Sequence, residues 1–169
     1  MVTFNLSYTA PINPPDVETK LTISQVWACI NSKVRHAEKF VPAIVNTEIL
    51  SESATDGAGL VLERRVTFAP GGHPAGAKDA VETCKFYEPC RVDFVSADGS
   101  IITNVVSVGP SGKSDDLHYT YVFEWRHPGI EANSSEAESQ KEADWKTARL
   151  AVESTIETMR RLVRESAIL

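Results

Sequence analysis

Residues 135–166 read SEAESQKEADWKTARLAVESTIETMRRLVRES, and their apolar residues recur at spacings of three and four. This period places the apolar residues on one face of a helix and the charged residues on the other. The predicted apolar stripe, which includes one threonine, comprises Ala148, Val152, Thr155, Ile156, Met159, Leu162 and Val163. Such a helix needs a partner to cover its apolar stripe, so the preceding part of the chain must provide one.

Most of the chain before this helix has the pattern of short strands separated by turns. Gly57, Ala58 and Gly59 predict one of these turns, and Asp98 with Gly99 predicts a tight hairpin. Short connections of this kind favour an antiparallel sheet over a parallel one. The strands are predicted at 2–8, 44–53, 60–68, 80–87, 90–96, 101–108 and 117–126.

Two helices are predicted, one on each side of the main run of strands. The first runs from Ile23 to Val34 and begins with a capping box formed by Thr22 and Gln25, and a short helical turn is expected at 36–40. For the closing helix, Ser135 and Glu138 predict a second capping box, and the pattern allows the helix to continue to Ser166. We therefore expect an α+β fold in which a twisted antiparallel sheet curves around the long C-terminal helix and leaves a gap between them.

Composition excludes several classes of protein. A length of 169 residues fits a single domain, and the net charge of −6 disfavours binding to nucleic acid. We find no apolar stretch of the roughly 18 residues that a membrane span needs and no secretory pattern at the N-terminus, so a cytoplasmic location is expected. The cysteines and histidines lack the spacing of metal sites, so neither a metal nor a cofactor is predicted. They are Cys29, Cys84, Cys90, His36, His73, His118 and His127.

Residues 108–114, VGPSGKS, superficially match a phosphate-binding P-loop. That motif needs a glycine five positions before Gly112, where this chain has Ser107, and it needs a helix to follow. A strand is predicted after this segment instead. The segment is therefore interpreted as a hairpin loop.

The strand predicted at 117–126 carries an aromatic row. Alternation places Leu117, Tyr119, Tyr121, Phe123 and Trp125 on one face, which should point towards the helix. Packing in a dry core is one interpretation of this row. The polar tips of tyrosine and tryptophan need partners when buried, so the wall of a ligand pocket is the alternative.

Two polar residues interrupt other apolar rows. Arg64 shares a strand face with leucines, valine and phenylalanine, and a buried guanidinium is costly unless it is paired. Either the register of the strand slips and Arg64 is exposed, or Arg64 meets an anionic group. The candidate partners are Glu48, Glu82 and a carboxylate or enolate of a ligand. Asn104 stands in a similar row, where a structural hydrogen bond is its favoured role.

Several segments resemble the AtaL-like family of the START/Bet v 1-like superfamily, which is also called SRPBCC. These segments are 21–27, 40–42, 105–107, 119–129 and 151–160, and the Phe-Glu-Trp-Arg-His-Pro stretch beginning at Phe123 is the most specific of them. The resemblance implies a helix-grip fold, in which a curved antiparallel sheet of about seven strands wraps around the C-terminal helix and a hydrophobic cavity, with residues 1–169 forming one such domain. It supplies no catalytic motif. Some family members are encoded among fungal natural-product pathway genes, and relatives in the superfamily include lipid carriers, aromatic polyketide cyclases and cofactor-free lyases.

The favoured function is therefore the binding of a hydrophobic or aromatic metabolite between the sheet and the C-terminal helix, in a natural-product pathway. The alternative is a cofactor-free cyclase, isomerase or lyase, in which Arg64 or Asn104 would stabilise an oxyanion and Tyr121 or Glu82 would move a proton. A protein-interaction module is a third class, and the oligomeric state is left open. The predicted ligand-binding residues are Trp27, Phe40, Leu62, Arg64, Asn104, Tyr119, Tyr121, Phe123, Trp125, Ile156 and Met159.

Overall fold

The computed structural model describes residues 1–55, 59–72 and 77–168. Residues 57 and 58 of the first predicted turn, together with His73, lie outside the described residues. The elements in chain order are β1 (Val2–Pro11), α1 (Ile23–Arg35), a 3-10 turn (Ala37–Lys39), β2 (Ile44–Thr55), β3 (Gly59–Phe68), β4 (Asp79–Tyr87), β5 (Arg91–Ser96), β6 (Ile101–Val108), β7 (Leu117–His127) and α2 (Ser135–Arg164).

The seven strands form one antiparallel sheet in the order β1-β7-β6-β5-β4-β3-β2. Each strand from β2 to β7 pairs with its neighbour in sequence, and β1 returns to pair with β7. The long helix α2 packs most closely on β1 and β7. The predicted α+β fold is confirmed, with a curved seven-stranded sheet against a long C-terminal helix.

β1 is longer than predicted and ends at Pro11 rather than at residue 8. Proline lacks a backbone donor, so it is tolerated at the edge of a sheet but not within it. β1 is an edge strand, and Pro11 occupies its last position, opposite His118. The proline therefore ends the strand without removing an interior hydrogen bond.

The capping box predicted for α1 is confirmed. The backbone N–H of Gln25 donates to Thr22 Oγ1 at 3.2 Å, and the backbone N–H of Thr22 donates to Gln25 Oε1 at 3.0 Å. These reciprocal bonds pair two donors at the start of the helix that have no partner within it. They fix the residue at which α1 begins. The helical period then determines which residues of α1 point inward.

The capping box predicted for α2 at Ser135 is wrong by one residue. Ser134 is the N-cap, because it has an extended backbone with ψ of 160° and its Oγ accepts the N–H of Ala137 at 3.1 Å. Ser135 is already the first helical residue. The helix also ends at Arg164 rather than at Ser166, since Ser166 adopts a left-handed conformation with φ of 52°.

The core lies between one face of the sheet and the two helices. Alternate residues of the strands point into it, and α1 and α2 contribute their inward stripes. The loop between β6 and β7 is a hairpin connection, in which the carboxylate of Asp116 accepts the N–H of Ser111 at 3.0 Å. The interpretation of residues 108–114 as a hairpin loop is confirmed. No helix among the described residues is long and apolar enough to cross a bilayer.

Candidate functional site

Arg64 points from β3 into the interior and is only 4% exposed. Its Nε and Nη2 lie 2.8 and 2.7 Å from Glu82 Oε2 on the neighbouring strand β4. Its Nη1 donates to the backbone oxygens of Lys33 and Val34 at 3.1 and 2.8 Å. Those carbonyls belong to the last turn of α1, where partial negative charge favours a cation. Of the predicted partners, Glu82 is therefore confirmed.

Glu48, the other predicted protein partner of Arg64, lies on the opposite face of the sheet. Its carboxylate accepts a hydrogen bond from Arg65 Nη1 at 2.8 Å, and both side chains are exposed. The register of β2 on β3 explains this, because Glu48 stands opposite Arg65. Glu48 and Arg65 therefore form a surface pair that is separate from the interior.

Lys33 is a buried residue that the sequence analysis missed. It is 5% exposed, and its Nζ donates to Asn104 Oδ1 at 2.9 Å and also to the hydroxyl of Tyr121. Helical spacing could have predicted that Lys33 faces inward. Lys33 follows Ile30 by three positions and Val26 by seven, and it therefore lies on the apolar stripe of α1. A lysine on such a stripe usually extends its charged end to solvent. Here it extends towards β6 and β7 instead.

The aromatic row of β7 faces the helices, as predicted. The rings of Tyr119 and Tyr121 meet edge to face at 5.0 Å, and the hydroxyl of Tyr119 donates to Asn104 Oδ1 at 3.1 Å. The hydroxyl of Tyr121 lies 2.8 Å from Thr155 Oγ1 on α2. Thr155 donates its own proton to the carbonyl of Ala151 at 2.7 Å, so Tyr121 must be the donor to Thr155. The oxygen of Tyr121 is then the acceptor for Lys33.

We call this group of interacting side chains the Lys33 cluster: Lys33, Asn104, Tyr119, Tyr121 and Thr155. It joins α1, β6, β7 and α2 through hydrogen bonds in the interior. Two of its members, Lys33 and Thr155, come from the helices. The strand members were predicted site residues, and the structure brings them together.

Burial sets the protonation states of the cluster. Burial, together with the positive charge of Arg64, lowers the pKa of Lys33 to about 7, while the negative charge of Glu82 partly opposes the change. Burial raises the pKa of Tyr121 to about 12 and that of Tyr119 well above its usual value. At neutral pH both tyrosines are therefore protonated, and Lys33 is present as both ammonium and neutral amine.

Asn104 carries a donor without a partner. Its Oδ1 accepts from Lys33 and Tyr119, but its buried Nδ2 meets no acceptor among the described residues. A buried N–H without a partner costs about 1–3 kcal/mol, and most such groups in folded proteins have one. The Nδ2 of Asn104 could therefore donate a hydrogen bond to one more acceptor.

The interior over the central strands is bridged by long side chains. Lys33 Nζ lies 5.5 Å from the ring centre of Phe94, and Arg64 Cζ lies 4.9 Å from the same ring. Ile102 and Trp125, on the same face of the sheet, are half-buried. A ligand in the predicted cavity would have to share this space with Lys33 and Arg64.

The other predicted wall residues surround the same interior or lie at its margin. Leu62, Phe123, Ile156 and Met159 are buried in the main core, and so is Phe40, which follows the 3-10 turn. Trp27 borders a surface hollow of about 520 Å³ between α1 and the turn after β4. A second hollow, of about 200 Å³, lies between residues 17–21 and the end of α2.

Comparison by sequence gives two matches over nearly the whole chain. The family model of AtaL, described as acetylaranotin biosynthesis cluster protein L, matches residues 6–166. The acetylaranotin biosynthesis cluster protein L of Aspergillus terreus (strain NIH 2624 / FGSC A1156) is 29% identical over 162 residues, which cover 94% of this chain and 89% of that protein. The range matched by the family model spans the positions of the Lys33 cluster.

Comparison by structure gives the same fold. The Zhui aromatase/cyclase from Streptomyces sp. R1128 superposes with a TM-score of 0.62 at 14% identity, over 98% of both chains. A START superfamily protein from Mycobacterium smegmatis has a TM-score of 0.62 at 12% identity, over 94% of this chain and 98% of that chain. At these identities the similarity describes the arrangement of strands and helices and not the chemistry of a site.

Proposed function

Because the chain belongs to the AtaL family, we propose that it binds a small hydrophobic or aromatic metabolite between the sheet and α2. A role in binding a hydrophobic ligand or in a biosynthetic pathway fits a relative that is named for a biosynthesis cluster and a fold shared with an aromatase/cyclase. The proposed ligand is an intermediate of a natural-product pathway, and the proposed location is the cytoplasm.

The observation that carries this proposal is the unpaired Nδ2 of Asn104 in an interior lined mostly by apolar and aromatic side chains. Ligand sites are mostly apolar and contain a few polar groups that fix orientation. An acceptor oxygen on the ligand would pair with Asn104 Nδ2, and Lys33 beside it would favour a partial or full negative charge on that oxygen. The rings of Tyr121, Phe123 and Phe94 would contact the apolar part of the ligand.

Entry of the ligand requires movement of side chains that now bridge the interior. Lys33 is the most suitable of them, because its side chain is long and its hydrogen bonds are made to side chains rather than to backbone. Arg64 is held by Glu82 and by two backbone carbonyls and stays in place. In the proposed site, Arg64 therefore keeps its position when the ligand enters, and the side chain of Lys33 moves.

The test uses the fluorescent probe 8-anilinonaphthalene-1-sulfonate, which combines aromatic rings with acceptor oxygens. Wild-type protein is expected to bind it saturably at one site, with a rise in melting temperature by mass action. The Asn104→Leu variant should bind about tenfold or more weakly, because a hydrogen bond to a charged group is lost. Exposed Asn46 provides the matched control Asn46→Leu, which should leave affinity unchanged. Equal affinities in all three proteins, or no saturable binding by the wild type, would contradict the proposal.

A second candidate function, a cofactor-free enzyme acting on a carbonyl intermediate, is favoured by the amine of Lys33. A general base works best when its pKa lies near the working pH, and burial brings the pKa of Lys33 to about 7. Tyr121, whose pKa is about 12, keeps its proton, and Glu82 is occupied by Arg64. Lys33 would therefore remove a proton next to the carbonyl, and Asn104 Nδ2 would donate to the developing enolate oxygen.

Exchange of the α-protons of 2-tetralone in deuterated buffer measures this activity by NMR. Wild-type protein should accelerate the exchange above the buffer rate, and Lys33→Met should remove the acceleration. Asn104→Leu should reduce it by about a hundredfold, since it removes the donor to the enolate oxygen. The same acceleration in wild type and Lys33→Met would rule out the proposed base.

A further inference from the structure

We propose that Lys33 forms a covalent imine with the aldehyde or ketone group of a ligand, which makes carbonyl compounds the ligand class of this site. This inference rests on the proposed binding function and specifies it. It assigns the amine a bond-forming role that differs from proton removal.

The surroundings of Lys33 match a neutral amine. A neutral amine has two N–H groups and one lone pair, whereas an ammonium has three N–H groups and no lone pair. Among the described residues Lys33 has two acceptors, Asn104 Oδ1 and the hydroxyl of Tyr121. The faces of the Phe94 and Tyr121 rings, with centres 5.5 and 4.3 Å from Nζ, attract an ammonium by cation–π contact but offer no lone pair to a third N–H. The lone pair of the neutral amine therefore remains free.

Lys33 also lacks the counter-ion that a structural lysine would need. The carboxylate nearest to it in this part of the interior, Glu82, is bound by the Nε and Nη2 of Arg64. No carboxylate among the described residues forms an ion pair with Lys33. A buried ammonium without a partner is costly, so the fold favours the neutral and nucleophilic form. The lowered pKa of Lys33, about 7, agrees with this.

The neighbouring groups complete the requirements for imine formation. The lone pair of Lys33 Nζ attacks the carbonyl carbon and forms the C–N bond, while the π electrons move to the carbonyl oxygen. Asn104 Nδ2 donates to that oxygen. The hydroxyl of Tyr121, which contacts Nζ, turns from Thr155 to the carbonyl oxygen, gives that oxygen its proton and takes one amine proton in exchange. This gives a carbinolamine. The second amine proton follows, the oxygen leaves as water, and the nitrogen lone pair forms the C=N bond.

The overall reaction is amine plus carbonyl to imine plus water. Both protons of the neutral amine end on the departing water, so the step needs no oxidant, reductant or other reactant. Thr155 holds the hydroxyl of Tyr121 beside Nζ in the free protein, because it accepts the proton of Tyr121 and directs its own proton to Ala151, and the relay requires that the proton of Tyr121 turn to the carbonyl oxygen. Lys33 and Tyr121 touch the reacting atoms, and Thr155 is a positioning residue.

Benzaldehyde with sodium cyanoborohydride at pH 7 tests the inference, because the borohydride reduces an imine to a stable secondary amine. Peptide mapping by mass spectrometry then locates the label. An exposed lysine with the usual pKa has only about one neutral amine in 2,500 at this pH. Lys33 is therefore expected to be labelled at least tenfold faster than the exposed lysines. Labelling confined to the exposed lysines would overturn the inference.

Variants separate the imine from simple exposure of a reactive side chain. Lys33→Met should carry no label at position 33 and keep the circular dichroism of the wild type, whereas the exposed-site control Lys85→Met should keep full labelling of Lys33. Tyr121→Phe should slow labelling of Lys33 about tenfold or more, because it removes the proton relay. An unchanged rate in Tyr121→Phe would contradict the proposed relay.

The fluorescent-probe titration distinguishes failure of this inference from failure of the binding function. Saturable binding of 8-anilinonaphthalene-1-sulfonate with no label on Lys33 would overturn the imine and leave the binding function standing. Absence of probe binding would overturn the binding function, and with it the assignment of carbonyl ligands to this site. Binding together with selective labelling supports both.

Discussion

At the scale of single residues, Lys33 connects the packing of the interior with its chemistry. It stands on the buried stripe of α1, between an arginine that takes the nearby carboxylate and two tyrosines that keep their protons. Burying such an amine lowers stability, and proteins commonly gain stability when a buried polar group is replaced by an apolar one of similar shape. We interpret the presence of a buried amine here as a sign of function rather than of stability.

Replacing this amine should stabilise the protein at pH 7. Lys33→Met is expected to raise the free energy of unfolding by about 1–4 kcal/mol, measured by urea denaturation. The folded pKa of Lys33, about 7, lies below the unfolded value of 10.5, so the unfolded chain binds more protons between these limits. Stability of the wild type relative to Lys33→Met should therefore rise between pH 7 and 9, by up to about 1.4 kcal/mol per pH unit.

The comparison of the two proteins isolates Lys33 from its surroundings. Arg64, Glu82, Cys84 and Tyr121 face position 33 in both, and the pKa of the Cys84 thiol is itself raised by burial, to about 12. The titration of these groups therefore largely cancels in the difference in free energy of unfolding between the wild type and Lys33→Met. If the difference in free energy of unfolding between the two proteins stays constant from pH 7 to 9, Lys33 is not a buried amine with a lowered pKa.

The Arg64–Glu82 pair offers a second prediction at this scale. Arg64→Met should lower the free energy of unfolding by about 3–5 kcal/mol, because it leaves Glu82 and two α1 carbonyls without their cation. The double variant Arg64→Met with Glu82→Leu should recover most of that loss. The surface pair provides the control, since Arg65→Met should cost no more than about 1 kcal/mol. Equal losses in Arg64→Met and Arg65→Met would contradict the buried pairing.

At the scale of elements, α2 is the part whose attachment determines access to the interior. Near its start, Asp144 accepts a hydrogen bond from His127 of β7 at 2.8 Å and another from Gln140 at 2.8 Å. Further along, Thr155 bonds Tyr121 of the same strand. Both attachments are made to β7 and lie about three helical turns apart. Movement of α2 away from the sheet would therefore break these contacts with β7, together with the hydrogen bond from the Tyr8 hydroxyl of β1 to Glu153.

The start of α2 gives a prediction about the element itself. Ser134→Ala should lower the free energy of unfolding by about 1 kcal/mol, because it removes the acceptor for the N–H of Ala137. Ser135→Ala should have little effect or stabilise slightly, since residue 135 is helical and alanine has the higher helix propensity. Thermal or urea denaturation of the two single variants measures this. A larger loss from Ser135→Ala than from Ser134→Ala would return the cap to its predicted position.

At the scale of the whole molecule, periodicity in the sequence was enough to predict the sheet, both helices and the inward faces. The aromatic row of β7 followed from alternation, because a strand face is set by period two. Alternation also placed Arg64 in an apolar row, but it left open whether the side chain is buried or exposed. Two adjacent serines at 134 and 135 could each cap α2, so sequence did not separate them. Lys33 was missed because the direction of a lysine near a helix end depends on what stands opposite, and Asn104 and Tyr121 are far away in sequence.

A crystal structure of the protein with bound 8-anilinonaphthalene-1-sulfonate tests the central claim most directly, since it shows where the interior accepts a ligand. We predict density for the rings between the sheet and α2, with a sulfonate oxygen at hydrogen-bond distance from Asn104 Nδ2 and Lys33 displaced from its present contact with Tyr121. Density in the surface hollow beside Trp27 and Pro89, with the Lys33 cluster unchanged, would contradict the account.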